Sequence, residues 1–312
     1  MIDETKESWV VECEKMATRI RLRVYKYVIK NRGGYLAQAC SSAEIFAALY
    51  YRIMKLAPSK APMMPEPFFG TPGKDNPDYK RGGLYNGGYE PDFDHFIFSP
   101  AHYALVLYAT LIEAGRLDEE GLSYFNKDGS VVEMIAAEHS PGVDTTSGSL
   151  AQAISQATGI ALGRRLLGEK GRVIVMMSDG EFQEGQFWEA IQTLVHYKLD
   201  NVIIYIDANG IQCDGKISDV LSMGDLRGKL EAFGAKAVSV DGHDVAALAA
   251  PSEEARDGRP LFVMANTNPT KGIKLFEERA PKLHYCRFQT EEDYQKYKKD
   301  YERLEKEAGL WR

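Results

Sequence analysis

The chain has 312 residues, enough to bury a large core, and an ordinary balance of 44% hydrophobic and 27% charged residues. Its net charge of −7 argues against a nucleic-acid-binding face, which needs clustered positive charge. No apolar run approaches the roughly eighteen residues that cross a bilayer, and the polar, acidic start MIDETKESW is not a signal peptide, so a cytoplasmic protein is expected.

Residues 8–30 place Val10, Val11, Met16, Ile20, Val24 and Tyr27 on one face of a charged amphipathic helix. A second helix is expected over 41–55, capped by Ser41 or Ser42 with Glu44 close behind. From Pro58 to Pro91, repeated Pro and Gly exclude a helix. Phe68, Phe69, Tyr79, Tyr85 and Tyr89 in that stretch predict an ordered surface, a partner contact or a substrate cover. A short buried strand over 96–99 precedes a helix over 103–114, with His102 at the junction. Residues 150–167 form a helix rich in small side chains, Ala151, Ala153, Ala157, Gly159, Ala161 and Gly163.

Residues 172–177 and 201–206 are β-branched, apolar strands. Between them Phe187, Ala190, Ile191, Leu194 and Val195 recur at helical spacing. A right-handed crossover makes the two strands parallel. Further strands are expected over 236–240 and 261–265, and a charged helix over 290–310 with the stripe Tyr294, Tyr297, Tyr301, Leu304. The whole reads as an α/β fold, a mostly parallel sheet flanked by helices. It is expected to be one domain over 1–312 with an irregular insertion at 58–94. Cys13, Cys40, Cys213 and Cys286 have neither close pairing nor zinc spacing and fit a reducing compartment.

Asp179 leaves the first strand of the crossover unit and Asn209 the second. Both meet at the carboxyl edge of the sheet, where open α/β folds bind ligands. A carboxylate, an amide oxygen and the backbone carbonyl near Ile211 suit a hard ion such as Mg2+, with positions left for phosphate oxygens. The helix starting near Glu184 aims its amides at the same anion, and Gly180 and Gly185 permit tight turns. The other reading is that Asp-Gly and Asn-Gly are ordinary turn dipeptides; spacing alone leaves both open.

The block SDGEFQEGQFWEA…IDANGIQ resembles the thiamine-diphosphate fingerprint. The chain is similar to the amino-terminal, diphosphate-binding half of the transketolase family. Four further segments match in order: CSSAEIFAALY at 40–50, FIFSPAHYALVLYATLIEAG at 96–115, PGVDTTSGSLAQAISQATGIALGRRL at 141–166 and TNPTKGIKLFEERAPKLHY at 267–285. The resemblance implies the thiamine-diphosphate-binding fold, with Asp179, Asn209 and the Ile211 carbonyl holding Mg2+ and the diphosphate. It implies that Gly180 admits the diphosphate to the backbone, that Leu150 packs beside the thiazolium ring, and that Glu184 stands at the subunit face of the cofactor site. His102 and His284 match histidines that line the substrate channel and handle protons. His243 follows a strand in a polar turn that could border the site; His139 and His196 receive no role.

The departures bear on substrate. Ser178 replaces the usual first glycine, Tyr35 stands where a histidine is usual, and Ala151 and Ala153 replace two glycines where the backbone passes close to the cofactor or a neighbour. Full-length members also carry a pyrimidine-binding domain and a carboxyl-terminal domain, which this sequence does not match. The resemblance therefore implies a separate pyrimidine-binding partner chain, an α2β2 heterotetramer, and transfer of a two-carbon ketol unit from a ketose-type donor to an aldehyde, both small molecules; the departures point away from an ordinary sugar-phosphate transketolase, and the phosphorylation of the substrates stays open. Two alternatives stay open: a split α-ketoacid dehydrogenase-type component, and a catalytically silent scaffold or regulatory homologue.

Overall fold

A computed structural model describes residues 8–71, 73–77, 79–254 and 256–309; the polar start at residues 1–7 and residue 310 of the expected last helix lie outside them. Numbered along the chain, the strands are β1 Gly33–Gly34, β2 His95–Phe98, β3 Val173–Ser178, β4 Val202–Ala208, β5 Ile211–Gln212, β6 Gly215–Lys216, β7 Lys236–Asp241, β8 Leu261–Asn266 and β9 Cys286–Arg287. The helices are α1 Ser8–Lys30, α2 Leu36–Ala48, α3 Ala104–Glu113, α4 Gln152–Leu166, α5 Gly185–His196, α6 Ile217–Val220, α7 Leu226–Ala232, α8 Val245–Glu253 and α9 Glu291–Ala308.

Five strands form one parallel sheet in the order β2-β3-β4-β8-β7. Its residues alternate between two apolar layers. Phe96, Phe98, Ile174, Met176, Tyr205 and Val263 pack with α1, α2, α3 and α8. Ile97, Val173, Val175, Ile204 and Phe262 pack with α4, α5 and α7. Both faces are covered, which is why these strands read as nearly unbroken apolar runs rather than alternating ones. All the main strands run the same way, so the loops after β2, β3, β4 and β8 open on one edge.

The second helix departs from the sequence expectation. It begins at Leu36, not at 41, and Tyr35 holds its cap position without a side-chain bond. Ser41 and Ser42 lie inside it, fully buried. Their hydroxyls are satisfied locally and across the core: Ser42 Oγ donates to the Gln38 carbonyl and Ser41 Oγ to the Asp207 carboxylate, each at 2.5 Å. A π-type turn over Leu49–Ile53 then closes the helix.

The excursion after Pro58 contains a turn of 3-10 helix at Gly82–Asn86. It docks on the segment that follows α3. The Phe68 N–H donates to the Gly129 carbonyl at 2.9 Å, the Gly82 N–H to Glu138 at 2.7 Å, and the Gly142 N–H back to Gly82 at 2.9 Å. A Cβ at Gly82 would lie 1.7 Å from the Ser140 carbonyl oxygen, so only glycine fits this approach. Helix α9 docks by its tyrosine stripe: Tyr25 meets the Tyr297 and Tyr301 rings edge-on at 6.4 and 5.6 Å. No helix among the described residues is long and apolar enough to cross a membrane.

Candidate functional site

A cleft of about 350 Å3 opens at the carboxyl edge of the sheet, and His102, Leu150, Asp179, Gly180, Glu184, Asn209, Ile211 and His284 all line it. They arrive from five separate segments of the chain. His102 sits in a turn of 3-10 helix, Ala101–Tyr103, between β2 and α3. Leu150 precedes α4, and Asp179 opens a 3-10 turn over Asp179–Gln183 after β3. Asn209 follows β4, and Ile211 starts the small β5–β6 hairpin. The antiparallel β1–β9 pair brings Tyr35 and His284 together from opposite ends of the chain.

Asp179 is the electrostatic centre. Its Oδ2 accepts the Gly210 N–H at 2.7 Å, while Oδ1 is buried with no partner. Burial, and then the nearby Asp207, push this carboxyl up to about 8. A buried oxygen with no donor and an acid made costly by its surroundings are what a cation would relieve. The Asn209 amide completes the pair: its Oδ1 accepts the Ile211 N–H at 2.9 Å, and its Nδ2 donates to Tyr103 Oη and Asp207 Oδ2. An amide oxygen has a second lone pair for a metal. Gly210, at φ +71°, makes the turn that an ordinary side chain would resist. A Cβ at Gly180 or Gly185 would meet nothing within 4 Å, so the space in front of both is open. Among the described residues no cluster of three His, Cys, Asp or Glu side chains could hold a metal. The donor set here mixes one carboxylate with amide and carbonyl oxygens and leaves positions free, as Mg2+ at a phosphate requires. The residues fit a metal-held diphosphate.

Two buried acids behind the cleft were not anticipated from sequence. Asp207, fully buried, accepts from Ser41, Tyr103, Asn209 and Thr267, and its carboxyl is raised by that burial. Glu181, fully buried, accepts from the Ser178 N–H and hydroxyl, the Ala151 N–H at 2.8 Å and the Ser99 hydroxyl. It ties together the loops that carry His102, Leu150 and Asp179. The Ser178-x-x-Glu181 spacing is a capping-box signature and was the available signal. Asp207 had none beyond its place two residues before Asn209.

The remaining expectations divide. His102 and His284 stack at 5.1 Å, and burial first lowers both; the second effect on His102, which falls to about 3, is His284. Both are neutral imidazoles at ordinary pH. Glu184 is exposed at the rim. His243 does not border the cleft. It binds Glu44 at 3.0 Å and accepts the Asn268 N–H, while Glu44 pairs with Arg21 at 2.6 Å. His139 stacks on Phe68 and bonds Glu133. The methyl groups of Ala151 and Ala153 do not crowd the cleft; both residues are fully buried in the layer under α4. Ala151 instead adopts φ +62° at the start of that helix. No described residue of 58–94 lines the cleft. That stretch encloses a separate cavity of about 480 Å3 with Phe68, Phe69, Tyr79 and His139 in its walls. It bears on the cleft only through the segment it supports, whose Ile135 is a lining residue. That cavity's own carboxylate and amide are already engaged, Glu66 by Lys80 and Asn76 by the Gly70 and Thr71 carbonyls, so the strand-edge cleft with its unpartnered Asp179 oxygen is the candidate site.

The family model described as "Transketolase, thiamine diphosphate binding domain" matches residues 87–284. A transketolase family protein of Sinorhizobium fredii, y4mO, is 32% identical over 286 residues, 90% of this chain and 92% of that protein. A subunit of the apulose-4-phosphate transketolase of Actinobacillus succinogenes is 32% identical over 280 residues, 88% of this chain and 90% of that protein. Among solved structures, transketolase from Campylobacter jejuni superposes with a TM-score of 0.71 over 96% of this chain at 22% identity, which establishes the fold. The chain spans 47% of the length of that enzyme.

Proposed function

We propose that this chain, which belongs to the transketolase family, is the diphosphate-binding subunit of a thiamine-diphosphate-dependent enzyme that moves a two-carbon ketol unit from a ketose-type donor to an aldehyde. The observation that carries this reading is the orphaned Oδ1 of Asp179, buried beside Asn209 at the mouth of the sheet.

In this reading Asp179, Asn209 and the Ile211 carbonyl hold Mg2+. Gly180 leaves room for the diphosphate, Leu150 packs against the ring beside it, and the α5 N-terminus adds favourable dipole to the anion. When bound, the cofactor supplies an electron sink for carbon–carbon cleavage. The chain's own groups bind and orient. His102, neutral, donates from one ring nitrogen and accepts at the other, so it holds a substrate hydroxyl and passes its proton. His284 lies against it across the channel. Glu184, exposed at the rim, meets the partner.

The whole chain then serves as one diphosphate-binding domain, and a separate pyrimidine-binding subunit closes the cleft in an α2β2 assembly. The Actinobacillus relative, of nearly the same length, is itself named as one subunit of a transketolase. The four cysteines, all free, fit a cytoplasmic setting. The test is purification with the native partner, followed by titration of thiamine diphosphate with and without Mg2+ and a screen of ketose donors against aldehydes. Saturable, Mg2+-dependent binding with ketol transfer is expected. Decarboxylation of a 2-oxo acid without transfer would favour the dehydrogenase-type alternative, and no binding at all the silent homologue.

A further inference from the structure

Gln38 lies in the wall of the cleft, on the first turns of α2, and is 4% exposed. Its Nε2 donates to the His284 carbonyl at 3.1 Å, which fixes the side chain. Its Oε1 is left buried with no partner. Beside it, Tyr35 stands 5.3 Å from the His102 ring and 5.5 Å from His284, backed edge-on by Tyr285 at 4.9 Å. This wall offers an amide acceptor, a phenol and two neutral imidazoles. Among the described residues no lysine or arginine lines the cleft, and its charged members, Asp179 and Glu184, are acidic.

We propose that Gln38 is a specificity-determining residue whose Oε1 accepts a hydroxyl of the substrate, and that the wall it shares with Tyr35 selects a neutral, hydroxyl-bearing carbon chain. The inference rests on the ketol-transfer reading above and names the part of the substrate that this chain recognises. The physical argument is one of pairing. A buried acceptor without a donor carries a desolvation cost that an incoming O–H removes and a C–H does not. An anionic oxygen makes matters worse, since it presents another acceptor to an acceptor, in a cleft with no lysine or arginine among its described lining residues to offset the charge. Any phosphate or other anionic terminus on the substrate is therefore seated away from this wall.

The experiment uses the complex with its partner and the variants Gln38→Met and Tyr35→Phe. Donors are a ketose, its phosphate ester, and hydroxypyruvate, which lacks the extended hydroxylated chain. Gln38→Met is expected to raise KM for the ketose and its ester by the same factor, about tenfold, with kcat within about twofold and with KM for hydroxypyruvate unchanged. Tyr35→Phe is expected to do the same to a smaller extent. Unaltered ketose KM in both variants, or a loss confined to the phosphate ester, overturns the proposal. Calorimetric binding of an unreactive sugar alcohol to the same complex reads the wall without turnover. A similar loss of affinity is expected there, and equal affinity in wild type and Gln38→Met overturns it. Absence of turnover with that binding effect intact would strike at the ketol-transfer reading and leave this inference standing.

Discussion

One oxygen of Asp179 accepts the Gly210 N–H at 2.7 Å, and the other is buried with no hydrogen-bond partner. The bond locks the turn after β3 to the turn after β4, so the loops that would hold a diphosphate are set before any ligand arrives. The unused oxygen is what remains for a cation. In free energy the arrangement is costly, because the acid is buried and lies near Asp207.

That cost has a pH signature. Asp179 titrates near 8 in the folded chain against 3.8 in its ordinary state. An acid with a raised folded value binds its proton more tightly when folded. Its contribution to stability is therefore full below the ordinary carboxylate value and is lost as pH rises through about 8. Asp179→Asn should raise the melting temperature of the isolated chain at alkaline pH and leave it nearly unchanged in acid. The same variant should weaken Mg2+-dependent cofactor binding by at least about a hundredfold, since it removes the one anionic ligand of the donor set. For the wild type, Mg2+ affinity should drop about tenfold per pH unit below that titration point, with one proton released on binding. Titration calorimetry in buffers of different ionisation enthalpy checks the proton; wild-type cofactor affinity in Asp179→Asn would remove Asp179 from the site.

Glu181 makes a separate prediction. Removing its side chain leaves the Ser178 and Ala151 N–H groups buried without acceptors. At about 1–3 kcal/mol for each buried unsatisfied group, Glu181→Ala should destabilise the chain by roughly 2–6 kcal/mol. Glu181→Gln keeps the shape but turns an NH2 toward one of those donors, so an intermediate loss is expected. Denaturant unfolding measures the first effect. Cofactor titration should show weakened binding in both variants, because Leu150, Asp179 and His102 hang from the three loops that Glu181 joins.

Much of this arrangement was legible in the sequence, for physical reasons. Strands buried on both faces must be largely apolar, and residues 173–177 and 202–206 are. A parallel crossover then forces Asp179 and Asn209 to one edge. Tertiary contacts hid the rest. Ser41 and Ser42 look like helix caps, yet Asp207, far along the chain, gives Ser41 a partner inside α2. The positive φ of Ala151 has no local signal, because alanine rarely adopts it; its N–H bond to Glu181 holds it there. Composition could not say that Phe68, Phe69, Tyr79 and Tyr85 line a cavity apart from the cleft.

The docking of that stretch is testable at Gly82. A methyl group there overlaps the Ser140 carbonyl, and both are backbone-fixed. Gly82→Ala should cost about 1–3 kcal/mol, the usual range for overpacking, unless the turn detaches. Limited proteolysis should then cut within 58–94 sooner than in the wild type. Because the same segment supports Ile135, cofactor or substrate affinity should fall modestly while the parallel sheet, read by far-UV circular dichroism, stays intact. Unchanged protease sensitivity would mean that the excursion is not held by this contact.

The last prediction concerns His102. Burial, and then the facing His284, lower its value to about 3 from the ordinary 6.5. The unfolded chain therefore takes up a proton, as pH falls, that the folded chain refuses. The stability associated with the neutral ring is complete above about 6.5 and is lost progressively down to about 3. His102→Gln keeps a neutral donor and acceptor without that liability, so it should melt at a higher temperature than the wild type near pH 5 and at about the same temperature near pH 8. In the reconstituted enzyme the same change should reduce kcat about a hundredfold or more if the ring transfers a proton, because an amide cannot. Imidazole resonances recorded across that pH interval provide the direct check. A His102 signal titrating near neutrality would show that the ring is far better hydrated than its setting between Tyr35, Tyr103 and His284 allows.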